Sequence, residues 1–184
     1  GLIVPNGLSQ GDSLGRDVAI DYPIAVASAT NTSVGGNIVG GIYVFEHFDG
    51  DWVDFQILPP VVAEAVAFGS SVAVHGDVLA VADFATDSFT GRVHVYRRQG
   101  LSSWTLDQTL IPGDAVQDDV IGQDWSIALG DNMLVMGGSG HDAAGNIAGA
   151  AWVFQYDGTS WIETQKLLPT SFNGAGLTFA RFGR

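Results

Sequence analysis

The chain has 184 residues, 46% of them apolar, with 20 acidic against 7 basic residues and a formal net charge of −13. That length and apolar content suit one domain, or a piece of one, with a real core and exclude a disordered tail. The acidic balance excludes a sequence-independent grip on nucleic acid and attraction to an anionic membrane surface, and the lack of cysteine excludes a disulfide scaffold, a thiolate zinc site and a cysteine nucleophile.

The acid is 17 Asp and only 3 Glu, and Lys166 is the single lysine. Asp favours turns by bonding its own backbone, so the bias predicts turn-rich β structure. No run of 18 apolar residues occurs, so no membrane-spanning helix is expected. The opening Gly1-Leu2-Ile3-Val4-Pro5 lacks Met and a signal pattern and reads as a processed or internal start.

Taken in order, the chain repeats itself. The first block, about 11–60, holds Leu14 to Ile20, Ile24 to Ala27, Gly41 to Phe45 and Trp52 to Leu58. The second, about 64–112, holds Phe68 to Val74, Leu79 to Ala82, Gly91 to Tyr96 and Trp104 to Leu110. The third, about 118–169, holds Ile121 to Ile127, Leu134 to Gly137, Gly149 to Phe154 and Trp161 to Leu167. Gly15 to Gly69 is 54 residues and Gly69 to Gly122 is 53. Phe182-Gly183-Arg184 matches Leu14-Gly15-Arg16, so 173–184 reads as the opening of a fourth block, cut short at Arg184.

Each block predicts four short strands. The first two are small and almost wholly apolar, as strands covered on both faces are. The fourth is mixed, as an outer strand is. Turns are expected at Asp49-Gly50, Gly76-Asp77, Gly130-Asp131 and Asp157-Gly158. Gly41, Gly91 and Gly149 open the third strand, where a bulge or close backbone approach is expected. No stripe of period 3.6 predicts a long helix. Four strands repeated near 50 residues are the mark of a propeller blade, so the fold class read from the sequence is all-β, a β-propeller of four-stranded antiparallel blades, three plus the start of a fourth. Trp52, Trp104 and Trp161 are expected to pack between blades. Gln56, Gln108 and Gln165 share their strand face, and each is expected to bond backbone at a blade junction.

The pattern Phe68-Gly69-x-Ser71-Val72-Ala73-Val74-x-Gly76-Asp77-x-Leu79-Ala80-Val81-Ala82, then Gly91-x-Val93-x-Val95-Tyr96, Trp104 and Gln108-x-Leu110, resembles the FG-GAP repeat. It is similar to the repeats of integrin alpha-subunit propellers, and the resemblance runs over residues 11 to 184. Kelch repeats are the near rival, and the Phe-Gly-x-Ser-Val-Ala opening favours FG-GAP. The resemblance implies a propeller on secreted or cell-surface proteins that bind proteins or glycans, with a role in adhesion. Many such repeats carry a calcium loop. Here the corresponding turns, Asp21-Tyr22-Pro23, His75-Gly76-Asp77-Val78 and Gly130-Asp131-Asn132, lack the five or more oxygen ligands that calcium takes from one segment, so no cofactor or metal is assigned.

Three blades do not close a ring, so further blades, subunits or a fibre are expected against the open faces. Gly11-Asp12-Ser13-Leu14-Gly15 fits a G-x-S-x-G nucleophile elbow, but a strand follows where the elbow needs a helix, so no catalytic residue is assigned. His47, His75, His94 and His141 show no metal-ligand spacing; His94 reads as a packed or edge strand residue and His141-Asp142 as a solvated loop. Asp118, Asp119 and Asp124, and Asp83 with Asp87, read as surface charge. Asn31-Thr32-Ser33 is a glycosylation sequon. The loops near 28–40, 83–90 and 138–148 are where binding is expected. The leading reading is a non-catalytic extracellular interaction or structural module with a protein or glycan partner. The alternatives are the propeller part of a secreted carbohydrate- or lipid-acting enzyme, or a glycan-binding lectin.

Overall fold

The computed structural model describes residues 3–34, 37–61, 67–100, 103–142 and 147–169. The expected fourth block, 173–184, lies outside them, as does part of the 138–148 loop. The described chain is all-β, built of three four-stranded antiparallel sheets. The first takes β1 (Leu14–Asp21), β2 (Ile24–Ala29), β5 (Gly41–Phe48) and β6 (Asp51–Leu58) in that order. A two-stranded ribbon, β3 (Ser33–Val34) and β4 (Asn37–Ile38), fills its β2–β5 loop. The second takes β7 (Phe68–His75), β8 (Val78–Asp83), β9 (Arg92–Gln99) and β10 (Ser103–Leu110). The third takes β11 (Ile127–Leu129), β12 (Met133–Gly138), β13 (Ala150–Tyr156) and β14 (Trp161–Leu167). The one helical turn among the described residues, α1 (Thr86–Phe89), holds Asp87, Ser88 and Phe89 at positive φ.

Turn chemistry sets the hairpins. Asp157 Oδ1 accepts from the N–H of Thr159 at 2.8 Å and of Ser160 at 2.9 Å, closing the β13–β14 turn with its own side chain. Registers coincide between sheets. Gln56 pairs Val44, Gln108 pairs Val95 and Gln165 pairs Val153, so all three glutamines hold one structural position.

Two apolar layers bind the sheets. Ile24, Val26, Ile42 and Val44 of the first pack against Phe68, Val72, Val74 and Leu79 of the second. Ala80, Val93, Val95 and Leu110 of the second pack against Ile127, Leu134, Met136 and Trp152 of the third. Removing each such large side chain from water contributes about 1.5–3 kcal/mol. Burial therefore depends on neighbours. Val72 and Val74 are 5% and 8% exposed, yet their counterparts Val18 and Ile20 in β1 are 64% and 66% exposed, because no described sheet packs against that face of β1. The expectation that first strands are covered on both faces is thus corrected for β1.

The junctions are also polar. Gln56 Nε2 donates to the Trp104 carbonyl at 3.1 Å, and Gln56 Oε1 accepts from the Trp104 N–H at 2.7 Å. Gln108 does the same to Trp161, at 2.9 and 2.8 Å. The Gln165 side chain is exposed and bonds no described residue. Trp104 and Trp161 are buried, whereas Trp52 is half-buried against His47. The backbone closes up at two further points. A Cβ on Gly40 would lie 2.3 Å from the Phe68 carbonyl oxygen, and one on Gly91 would lie 2.3 Å from that of Ile121. In the first block this close approach falls at Gly40, one residue before the expected Gly41.

The stack fans about its first strands. Arg16 in β1 reaches past the second sheet to Asp124 at 2.8 Å. At the opposite end of these strands, His75 stands between Asp21 of the first sheet, at 3.4 Å, and Asp131 of the third, at 2.8 Å.

Candidate functional site

Beside the start of β1, two cavities of about 350 and 370 Å³ adjoin at Asn31. The first is lined by Ser13, Arg16, Thr30, Asn31, Ser70 and Phe84, which places it between the first two sheets. The second is lined by Ser9, Gln10, Asp12, Asn31 and Ser33. Both draw on the 28–40 loop, and Phe84 comes from the 83–90 loop, where the sequence places binding.

Local turns hold this groove. Asp12 Oδ2 accepts from the Ser9 N–H at 2.9 Å, and the Asp12 carbonyl accepts from the Asn31 N–H at 3.1 Å. Ser13 sits at φ 60 and accepts from Asn31 Nδ2 at 3.0 Å, while its own hydroxyl donates to the Gly11 carbonyl at 3.3 Å. Asn31 Nδ2, the sequon's acceptor atom, therefore lies where the two cavities meet. Strand β1 follows Ser13 directly. Arg16 closes one side, with its guanidinium 5.6 Å from the centre of the exposed Trp125 ring.

The other sequence candidates are dispersed. His47 bonds the Tyr22 hydroxyl at 3.1 Å. His94 is buried in the second sheet, with Nδ1 2.9 Å from Thr109 Oγ1. Burial, with the Arg92 charge adding to it, pushes His94 down to about 4. Asp83 is buried rather than on the surface; burial pushes it up to about 6, against Arg92 and the Ala67 and Ala85 backbone. Asp87 pairs with Arg92. Asp118 is exposed and accepts from Gln117, and Asp124 holds Arg16. Among the described residues, no three His, Asp or Glu side chains gather as a metal site.

Two expectations are corrected by one cluster. Asp119 and His141 are buried, not solvated, because the 112–122 connection folds onto the β12–β13 loop. Lys166 donates to His141 Nε2 at 2.5 Å and to Asp114 Oδ2 at 2.5 Å. With Nε2 accepting, the ring proton of His141 sits on Nδ1 and donates to Asp119 Oδ2 at 3.0 Å. Partial burial raises Asp114, but the Lys166 ammonium and the Trp152 indole N–H outweigh it and hold the carboxyl below its ordinary range. Every member faces a partner within the fold, so the cluster ties two loops to β14. The lone lysine was the only sequence signal for it. The pairing of Arg16 with Asp124 and Trp125 had none, since it spans two repeats.

No protein-family model matches the chain, and no curated protein matches it either.

Proposed function

We propose that this chain is a non-catalytic interaction module acting outside the cell, a propeller-type stack of FG-GAP-like sheets whose groove beside β1 takes a neutral glycan. The observation that supports this is the pair of cavities meeting at Asn31. Their combined size suits a small ligand site. Their lining is mostly hydroxyls and amides, with one guanidinium, the Asp12 carboxylate and one aromatic ring. Such groups give directional neutral hydrogen bonds, and a ring face suits the apolar side of a sugar. A surface of net charge −13 disfavours polyanions.

Calorimetric titration with neutral oligosaccharides, with and without calcium, tests the reading. Saturable binding is expected, weakened about tenfold by Asn31→Ala through loss of one polar pairing. The proposal fails if no saccharide binds saturably up to about 10 mM, beyond the weak end of specific recognition. Release of reducing ends during the titration would move the reading to a carbohydrate-acting enzyme.

A further inference from the structure

The second sheet buries a charge that its neighbours lack. Asp83 ends β8 opposite Arg92 of β9, where the first sheet has Ala29 and the third has Gly138. It is fully buried, and neither carboxyl oxygen accepts a hydrogen bond. The Ala67 and Ala85 backbone favours its charge without closing a bond to it. A carboxylate cut off from water and from partners costs far more than the neutral acid, so this geometry suits the protonated form.

The cation opposite is committed elsewhere. Arg92 donates from Nε to Thr86 Oγ1 at 2.9 Å and pairs through its guanidinium with Asp87. That pairing braces the strained turn α1, whose Asp87, Ser88 and Phe89 lie at φ 50, 57 and 62, a region that residues with side chains resist. Backbone bonds complete the turn. The Thr90 N–H donates to the Asp87 carbonyl at 3.2 Å, the Gly91 N–H to that of Thr86 at 3.3 Å, and the Val120 N–H to that of Phe89 at 2.8 Å. Phe84, next to Asp83 in the chain, lines the cavity of about 350 Å³ and meets Phe89 with ring centres 6.3 Å apart. Asp83, Arg92 and the turn therefore form one unit behind the groove wall.

We propose that Asp83 is a proton-operated latch for the 84–90 turn and, through Phe84, for the groove beside β1. With Asp83 neutral, Arg92 stays on Asp87 and the turn is closed. With Asp83 ionised, its buried charge draws Arg92 away, because attraction is strongest where water is excluded. Asp87 then loses its partner and the left-handed turn relaxes. The charged groups acting on Asp83 are Arg92 and Asp87. Strand β7 opposes it with Phe68, and the first-sheet layer facing this one is apolar. His94, the next side chain on that face of β9, is held near 4 and stays mostly neutral from pH 5 upward. The latch stands on the second sheet; only its effect on a glycan rests on the groove reading.

Amide hydrogen exchange of the full chain, read by NMR at Thr90, Gly91 and Val120 at pH 5 and 7.5, tests it. Protection factors divide out the pH dependence of chemical exchange. With Asp83 near 6 in the closed turn and near 3.8 once water reaches it, protection falls about tenfold between the two pH values. These amides exchange faster than Val81 in the central strand β8, as local opening requires. Asp83→Asn, and Asp83→Ala with the residue that the first sheet uses here, each stay protected at both pH values, and Asp87→Ala is weakly protected at both. Equal wild-type protection at pH 5 and 7.5 overturns the latch. So does a tenfold fall in a folded Asp83 variant, wild-type protection of Asp87→Ala at pH 5, or exchange no faster than that of Val81, since the turn would then open only with the whole fold. Saturating neutral oligosaccharide restores protection at pH 7.5; a saccharide that binds and leaves it low overturns the link to the groove. If no saccharide binds, the glycan reading fails while the exchange result still decides the latch.

Discussion

The second sheet and the first are written in nearly the same pattern, but they sit in different surroundings. Strand β8 of the second is buried along its whole length, while β1 of the first is exposed or half-exposed throughout. Val72 and Val74 meet a neighbouring sheet; Val18 and Ile20 meet water. An apolar strand in this chain is therefore core only where a second sheet covers it, and equal residues should differ in energetic weight by their place in the stack.

The largest contrast is at the tryptophans. Trp104→Ala should destabilise the fold by about 3–5 kcal/mol, as truncation of a buried large aromatic does. Trp52→Ala should cost less than about half of that, because Trp52 is only half-buried. Urea unfolding of the two variants measures both, and equal losses would break the contrast between covered and open sheets.

The glycines of the first strands come next. Gly15, Gly69 and Gly122 all hold positive φ, so alanine strains each by about 1–2 kcal/mol. Gly122→Ala also drives its Cβ into Ala82, a further overpacking cost of about 1–3 kcal/mol that Gly15→Ala escapes. Thermal unfolding should rank Gly122→Ala well below Gly15→Ala; the reverse order would place the free face elsewhere.

Titration gives a third contrast. The second sheet buries His94 where its neighbours place Tyr43 and Trp152, and Asp83 where they place Ala29 and Gly138. His94 is held near 4 in the fold, so the unfolded chain takes up its proton first as pH falls below 6.5, and stability is lost toward pH 4. Asp83 is held near 6, so the folded chain binds its proton first, and stability is lost as pH rises from 3.8 through 6. Each effect amounts to about 2–3 kcal/mol at most, and they oppose each other across one window. His94→Phe should leave a fold that gains stability on acidification relative to the wild type, and Asp83→Asn one that loses it. Stability curves between pH 4 and 7 that overlay for all three chains would refute the assignment.

The smallest contrast separates the glutamines. Gln108→Ala leaves the Trp161 N–H and carbonyl without their partners and should cost about 1–3 kcal/mol. Gln165→Ala should leave the stability of the dilute chain within about 0.5 kcal/mol, as an exposed substitution does. A loss at Gln165 equal to that at Gln108 would mean that its amide already grips a partner within the same chain.

Much of this architecture is legible along the chain because it recurs. Strand order, the hairpin turns and the amide-to-backbone clamp at Gln56 and Gln108 follow from residue types that return near every 50 positions, and repetition separates them from chance. The groove is only half legible. Its loops announce themselves by length and polarity, yet the meeting of Ser13 with Asn31 depends on where β1 begins relative to the β2–β5 loop. Asp119 and Asp83 read as surface charge, and His141 as part of a solvated loop, because loop composition carries no record of burial. Lys166 joining His141 and Asp114, and Arg16 reaching Asp124, have no counterparts in the other repeats to mark them.

What the linear order determined was local and periodic: alternation and turn chemistry dictate short strands, and recurrence dictates similar sheets. What the tertiary structure alone decided was which face of each sheet is covered. Apolar surface is stabilised by removal from water whatever covers it, so a valine at the same strand position is core in the second sheet and exposed in the first.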